Sequence, residues 1–121
     1  MNQDINSPIR LRLQLVEERT DILEYIITDQ AVIGRVGDDQ DNKPEIDLSA
    51  YTGYQLGLSR RHVLLRLNDG LLEAQDLDSR NGTFVNGYRL APHKWTQIAD
   101  QDEMRLGRLV MILHIEALGE Q

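Results

Sequence analysis

Apolar residues recur at every second position through most of this chain, and that spacing constrains the fold more than any other feature. Leu11, Leu13 and Leu15 alternate with Arg10, Arg12 and Gln14. Leu23, Tyr25 and Ile27 are separated by Glu24 and Ile26, and Val63, Leu65 and Leu67 by Leu64 and Arg66. Leu72 and Ala74 flank Glu73, and Met104 and Leu106 flank Arg105. Successive side chains of a strand point to opposite faces, so this is the pattern of half-buried β-strands rather than helices. The final run, Leu109 to Ile115, is apolar at almost every position. It predicts a strand covered on both faces for much of its length. No long amphipathic helix, internal repeat or low-complexity tract is visible.

Turn residues break these runs at Asn68-Asp69-Gly70, Asn81-Gly82 and Asn86-Gly87. Asn and Gly tolerate positive φ, and Asn-Gly favours tight hairpins. Many short strands separated by such turns predict an all-β sandwich or barrel. A chain of 121 residues has room for one domain with a real core but not for two. Two stretches are irregular. Residues 1–9 read as a loose tail. Residues 36–58 form a long Gly- and Asp-rich connection, with strand-like pieces at Ile46-Asp47-Leu48 and around Tyr51. A connection that long in so small a domain is either functional or mobile.

Charge narrows the function classes. Lys and Arg number 13 against 20 Asp and Glu, a formal net charge of −7. That balance disfavours a general nucleic-acid surface, which needs a cationic field, and a polybasic membrane surface. There is no cysteine, which removes disulfides, thiolate metal sites and cysteine nucleophiles. The start, Met1-Asn2-Gln3-Asp4, has neither a cationic nor an apolar leader, so no secretory signal is expected. The longest apolar run, Leu109 to Leu113, is far short of the roughly 20 residues that span a bilayer. A cytoplasmic protein is the expectation.

The cations are unevenly placed. Gly57 to Leu67 holds Arg60, Arg61 and Arg66 with no acid, and Ser79 to Leu90 holds Arg80 and Arg89 with no acid. Three segments stand out: Gly34-Arg35, Ser59-Arg60-Arg61-His62, and Asp76 to Gly87 with Ser79-Arg80-Asn81-Gly82-Thr83-Phe84-Val85-Asn86-Gly87. Together they offer guanidinium groups, a hydroxyl, an amide and turn N–H groups. That donor set suits a dianionic phosphate ester, because arginine gives paired charge-assisted hydrogen bonds and the others add fixed donors.

In their order and spacing these segments resemble the forkhead-associated (FHA) domain, a phosphothreonine-binding module. Asp100 to Gly107 is similar to that family's late strand–turn–strand segment, except that Gln101 or Asp102 stands where the family usually has glycine. The resemblance runs from about Ala31 to Ile115, and Arg10 to Thr28 fits the family's first strands. It implies an all-β, eleven-stranded β-sandwich of the FHA/SMAD type with peptide-binding loops at one end. It places the domain at residues 10–116, between tails at 1–9 and 117–121. Position by position, Arg35 and Ser59 match the family's phosphate-contacting residues. Arg60 falls at a variable position that often touches phosphate or peptide backbone. Asn81 matches the asparagine that bonds the ligand's main chain. Gly34, His62, Gly82 and Asn86 match loop-structuring residues. Arg80 stands where Thr or Ser is common; it either adds charge beside the phosphate or extends into solvent.

The resemblance implies a non-catalytic adaptor without cofactor or metal. Its partners would be phosphothreonine-containing substrates of Ser/Thr kinases, or the kinases themselves. The alternative is an FHA-fold scaffold that binds partners independently of phosphate, through a sheet face or the 36–58 connection. A hydrolase built on Ser59 and His62 is disfavoured, since Gly57-Leu58-Ser59-Arg60-Arg61 lacks the second glycine of a nucleophile elbow. His93 and His114 show no zinc-ligand spacing. Asp38, Asp39, Asp41, Glu45 and Asp47 lack the central glycine of a calcium loop and read as a solvated acidic loop. Trp95 is expected to be core or partly buried.

Overall fold

The computed structural model describes residues 7–17, 21–37, 42–52 and 56–119. Residues 1–6 of the expected N-terminal tail lie outside the described residues, as do Asp38, Asp39 and Asp41 of the acidic stretch. Among the described residues, eleven strands and one helical turn make up the regular structure. In chain order they are β1 (Ile9–Leu15), β2 (Ile22–Ile27), β3 (Gln30–Gly34), β4 (Ile46–Asp47), α1 (Ser49–Thr52), β5 (Val63–Asn68), β6 (Leu71–Asp76), β7 (Thr83–Val85), β8 (Tyr88–Arg89), β9 (Thr96–Gln97), β10 (Glu103–Leu106) and β11 (Leu109–Ala117).

The strands form two sheets facing each other as a β-sandwich. One has six strands in the order β2-β1-β11-β10-β7-β8, and the other five in the order β4-β3-β5-β6-β9. All pairings of named strands are antiparallel except β3 with β4, which is parallel. Period-two alternation fills the space between the sheets. Leu11, Leu13 and Leu15 from β1 meet Val63 and Leu65 from β5, Leu72 and Ala74 from β6, Met104 and Leu106 from β10, and Met111 and Leu113 from β11 in one core. Each fully buried Leu or Ile side chain contributes about 1.5–3 kcal/mol relative to exposure, so the alternation itself fixes which face turns inward. The outer face of β1 is held by charge: Arg10 pairs with Glu24 at 2.9 Å and with Glu116 at 2.8 Å.

Two of the three predicted turns are two-residue hairpins. Asp69 and Gly70 both have positive φ (57° and 80°) between the paired residues Asn68 and Leu71. Asn86 and Gly87 do the same (52° and 87°) between Val85 and Tyr88. Paired positive φ values match the strand twist, which is why these residue types stand there.

Three expectations change. Tyr51 lies in the helical turn α1 and not in a strand. Ser49 explains the helix start: its N–H and hydroxyl both bond Asp47 Oδ1, at 3.0 and 2.6 Å, while its Oγ accepts the Val36 N–H at 2.8 Å. The strand β11 is buried on one face only. Leu109, Met111 and Leu113 are inside, whereas Val110, Ile112 and His114 are half-buried on the outer face of the sheet. Asn81-Gly82 is not a hairpin, because the strands it separates, β6 and β7, belong to different sheets.

Gln101 shows what its departure from glycine entails. Its φ is 76°, the left-handed region that favours glycine. Its side chain is tied instead to His114 Nδ1 at 2.9 Å, and its N–H donates to the Leu113 carbonyl at 2.7 Å. Trp95 is partly buried, with the Arg66 guanidinium 3.9 Å from its ring centroid.

Candidate functional site

The ends of three adjacent strands position the site. β3 and β5 are antiparallel, as are β5 and β6. The end of β3, the start of β5 and the end of β6 therefore meet at one edge of the five-stranded sheet. The loops leaving those ends carry Gly34-Arg35, Ser59-Arg60 and Ser79 to Gly82. They enclose an open concavity of about 520 Å³ lined by Arg35, Gly57, Leu58, Ser59, Arg60, Arg80 and Asn81. Arg35, Ser59, Arg60, Arg80 and Asn81 thus line one hollow, and no carboxylate is among its lining residues.

Arg35, Ser59, Arg60 and Asn81 each make a specific contact. Arg35 Nε–H donates to the Leu58 carbonyl at 2.7 Å, which fixes the guanidinium against the opposite loop. Ser59 Oγ accepts the Arg80 N–H at 3.3 Å, so the hydroxyl joins the second and third loops. Asn81 Nδ2–H donates to the Gly57 carbonyl at 3.1 Å. The Arg60 side chain lies across Gly37, where a Cβ would come within 2.4 Å of its Nε. Beneath it, Gly34 is a steric requirement: a Cβ there would fall 1.9 Å from the Arg60 carbonyl oxygen.

The residues behind the wall hold the loops together. His62 is inaccessible to solvent. Its Nδ1 accepts the Ser59 N–H at 3.0 Å, and its Nε2 lies 2.9 Å from the Gly82 carbonyl. That pair of contacts assigns the neutral tautomer with the proton on Nε2. One imidazole therefore joins the loop bearing Ser59 to the loop bearing Asn81. Asn86 stands apart from the hollow. It ties the β7–β8 turn to β10, donating to Asp102 Oδ1 at 3.0 Å and accepting the Glu103 N–H at 2.9 Å.

Burial lowers the His62 pKa below its ordinary value near 6.5, outweighing the Gly82 hydrogen bond and the charge of Asp76, which act to raise it. The unfolded chain then binds a proton at a pH where the folded protein does not. The stability contribution is complete above about pH 6.5 and falls away below it, toward the depressed folded value, by at most about 1.4 kcal/mol per pH unit. The urea midpoint is expected to drop between about pH 7.5 and about pH 5.5. A midpoint that does not move across that interval contradicts this assignment.

One element of the site had no role in the sequence reading. Asp76 is buried and organises the third loop. Its Oδ1 accepts the hydroxyls of Ser79 and Thr83, each at 2.6 Å, and its Oδ2 accepts the Ser79 N–H at 3.1 Å. Ser79 Oγ in turn accepts the Gly82 N–H at 3.0 Å. The signal was present: β6 alternation puts Asp76 on the same inward face as Leu72 and Ala74, and a carboxylate there must have dedicated partners.

Among the described residues no three His, Asp or Glu side chains converge as a metal site would. No helix among them is long and apolar enough to cross a membrane.

Comparison with known proteins agrees with this architecture. The family model described as the FHA domain matches residues 31–107, more than half of the chain. The FHA domain-containing protein FhaA of Mycobacterium tuberculosis is 36% identical over 84 residues, covering 69% of this chain and 14% of FhaA. The protein FraH of a Nostoc species is 27% identical over 110 residues, covering 84% of this chain and 37% of FraH. The chain thus spans well under half the length of both relatives. The FhaA FHA domain, solved in complex with an intracellular domain of a second protein, superposes with a TM-score of 0.62 at 29% identity, over 88% of this chain and 99% of that one. A structure solved in work on phosphothreonine-dependent FHA domain interactions superposes with a TM-score of 0.65 at 28% identity, over 93% of this chain and all of the other. With the two-sheet sandwich, the matched segment and the loop-end hollow in place, the chain belongs to the FHA domain family.

Proposed function

We propose that this chain is a non-catalytic module that binds phosphothreonine-containing segments of partner proteins, in the hollow formed by Arg35, Ser59, Arg60, Arg80 and Asn81. The observation that carries this reading is the lining itself: three arginines, a hydroxyl and an amide with no carboxylate. A phosphate ester at neutral pH carries close to two negative charges and three strong acceptor oxygens. Arg35 supplies planar, charge-assisted donors to it, Ser59 a hydroxyl donor, and Arg60 a second cation at the rim. Asn81 stands beside them and holds the main chain of the ligand. The work on phosphothreonine-dependent interactions of a similar domain supports the choice of ligand. Partners are then substrates of Ser/Thr kinases or the kinases themselves, met in the cytoplasm.

The chemistry argues against catalysis at this hollow. Ser59 and His62 are three residues apart, but the Nδ1 of His62 is occupied by the Ser59 backbone N–H, and Nε2 is turned to the Gly82 carbonyl. Neither nitrogen is placed to take a proton from the Ser59 hydroxyl.

Calorimetric titration with one peptide in phosphothreonine, phosphoserine and unphosphorylated forms tests the reading. Binding only when phosphorylated is expected. Equal binding of the unphosphorylated form would replace this function with a phosphate-independent scaffold. The threonine methyl is worth at most about 0.8 kcal/mol by burial alone, so any stronger preference over phosphoserine comes from the shape of the hollow.

Arg80 provides a separate check. Its backbone N–H is bound to Ser59 Oγ, while its exposed side chain lines the hollow. An exposed cation near a phosphate is screened by salt. Arg80→Ala is therefore expected to weaken binding by about 0.5–1 kcal/mol at low salt and to flatten the salt dependence. Unchanged affinity at low salt would place the side chain in solvent.

A further inference from the structure

Three side chains stand in a row across the outer face of the six-stranded sheet. The register sets Arg105 of β10 opposite Phe84 of β7, and Phe84 opposite Arg89 of β8. Directly opposed residues share a face. Thr83 and Val85, on either side of Phe84, are buried, so the row faces outward. The Arg105 guanidinium lies 3.8 Å from the Phe84 ring centroid and that of Arg89 lies 5.6 Å from it. The ring attracts each cation, while the two cations repel each other. Among the described residues neither has a carboxylate partner; the ion pairs instead involve Arg10, Arg12 and Arg66.

This row adjoins the hollow. Gly82 follows Asn81, and a Cβ on Gly82 would come within 3.0 Å of both Arg89 Nε and the Phe84 ring. Arg105 Nη1–H donates to the Gly107 carbonyl at 2.8 Å. Gly107, with φ of 63°, approaches Gly57 so closely that a Cβ would lie 2.7 Å from the Gly57 carbonyl oxygen. Gly57 and Asn81 both line the hollow. An extended peptide advances about 3.3 Å per residue, so a segment leaving over Asn81 and Gly82 reaches the row in about two to four residues.

We propose that the Arg89–Phe84–Arg105 row is a second contact surface for the bound segment, and that it selects Asp or Glu side chains about two to four residues from the phosphothreonine. The inference rests on the phosphopeptide reading above. Its ground is charge complementarity: two guanidinium groups with no ion-pair partner among the described residues, set 3.8 and 5.6 Å from one ring centroid, offer the planar donors that a carboxylate accepts. The chain as a whole is acidic, with a net charge of −7, and Glu103 shares this face two residues before Arg105, so the attraction for an acidic flank comes from two guanidinium groups set against one nearby carboxylate. Screening over about 10 Å at moderate salt keeps the remote acids from cancelling it.

The test is a set of phosphothreonine peptides in which a pair of glutamates is moved from four residues before the phosphothreonine to four after it, against an all-alanine flank. Affinities are measured at about 0.1 M salt, where the screening length is about 10 Å, for the wild type, for Arg89→Glu and for Arg89→Gln/Arg105→Gln. The wild type is expected to bind one glutamate register about five- to tenfold tighter than the alanine flank, the sum of two exposed charge pairs. The double variant should lose that increment and keep its affinity for the alanine-flanked phosphopeptide. Arg89→Glu changes only an exposed side chain and should reverse the preference. If phosphopeptides bind but no register is favoured, or the increment survives in both variants, the row is not a contact surface. If no phosphopeptide binds at all, the underlying function fails and this inference fails with it.

Discussion

Replacing Arg35 by alanine is expected to weaken phosphothreonine-peptide binding by about 2–5 kcal/mol, roughly 30- to 5,000-fold in Kd. The size follows from how the side chain is held. Its Nε–H is already engaged by the Leu58 carbonyl at 2.7 Å and its Nη1–H reaches the Val36 carbonyl at 3.4 Å. The guanidinium is therefore oriented before ligand arrives, and little rotamer entropy is lost on binding. It is also half-buried, so its attraction for a dianion is less screened than that of exposed Arg80. Removing it leaves a bound phosphate desolvated and short of a cation, which is the costly outcome. Arg35→Lys should recover part of the loss, because an ammonium restores charge but not the planar donor pair. Titrating one phosphopeptide into all three proteins decides the matter. An alanine variant with wild-type affinity would remove Arg35 from the site.

Much of this architecture is legible in the sequence because burial is decided one residue at a time. In β1, β5 and β10 a period-two pattern fixes both the element and its inward face. Asp69-Gly70 and Asn86-Gly87 declare hairpins because their backbone demands positive φ. The site motifs are legible through the order and spacing of Gly34-Arg35, Ser59 and Asn81 in the family resemblance, although the contacts that hold these residues join loops far apart in the chain. What escapes is set by the other sheet. Asn81-Gly82 has the same composition as a hairpin turn, yet the chain crosses between layers there, and nothing local distinguishes the two. Tyr51 turns into a helix because Ser49 finds Asp47 and Val36 at once, a contact 13 residues distant. The outer face of β11 carries the apolar Val110 and Ile112, but β1 and β10 flank it and among the described strands no further sheet lies above. The Arg89–Phe84–Arg105 row needs the register of three strands before its members become neighbours.

Asp76→Ala is expected to lower the free energy of unfolding by about 3–5 kcal/mol, since hydrogen bonds to a charged group are worth about 1.5–3 kcal/mol each and unpaired buried donors add their own cost. Three donors converge on this one carboxylate, two hydroxyls at 2.6 Å and the Ser79 N–H at 3.1 Å, and Asp76 itself is only 2% exposed. The hydroxyls of Ser79 and Thr83 can rotate toward other acceptors, but the Ser79 N–H is fixed by the backbone and is left unpaired. Asp76→Asn keeps the volume and one acceptor oxygen. It sets an amide N–H₂ against the Ser79 N–H, donor against donor, so a smaller loss of about 2 kcal/mol is expected. Both values are read from urea unfolding at neutral pH. The effect extends to binding through position: Ser79 Oγ holds the Gly82 N–H, and Asn81 lies between them. Without Asp76 the loop that presents Asn81 loses its fixed geometry, and phosphopeptide affinity should fall several-fold even at a temperature where the variant stays folded. An alanine variant within about 1 kcal/mol of the wild type would mean the loop has another organiser. Loss of stability with unchanged affinity would separate the loop's fold from the binding site, and would move the ligand's main-chain contact away from Asn81.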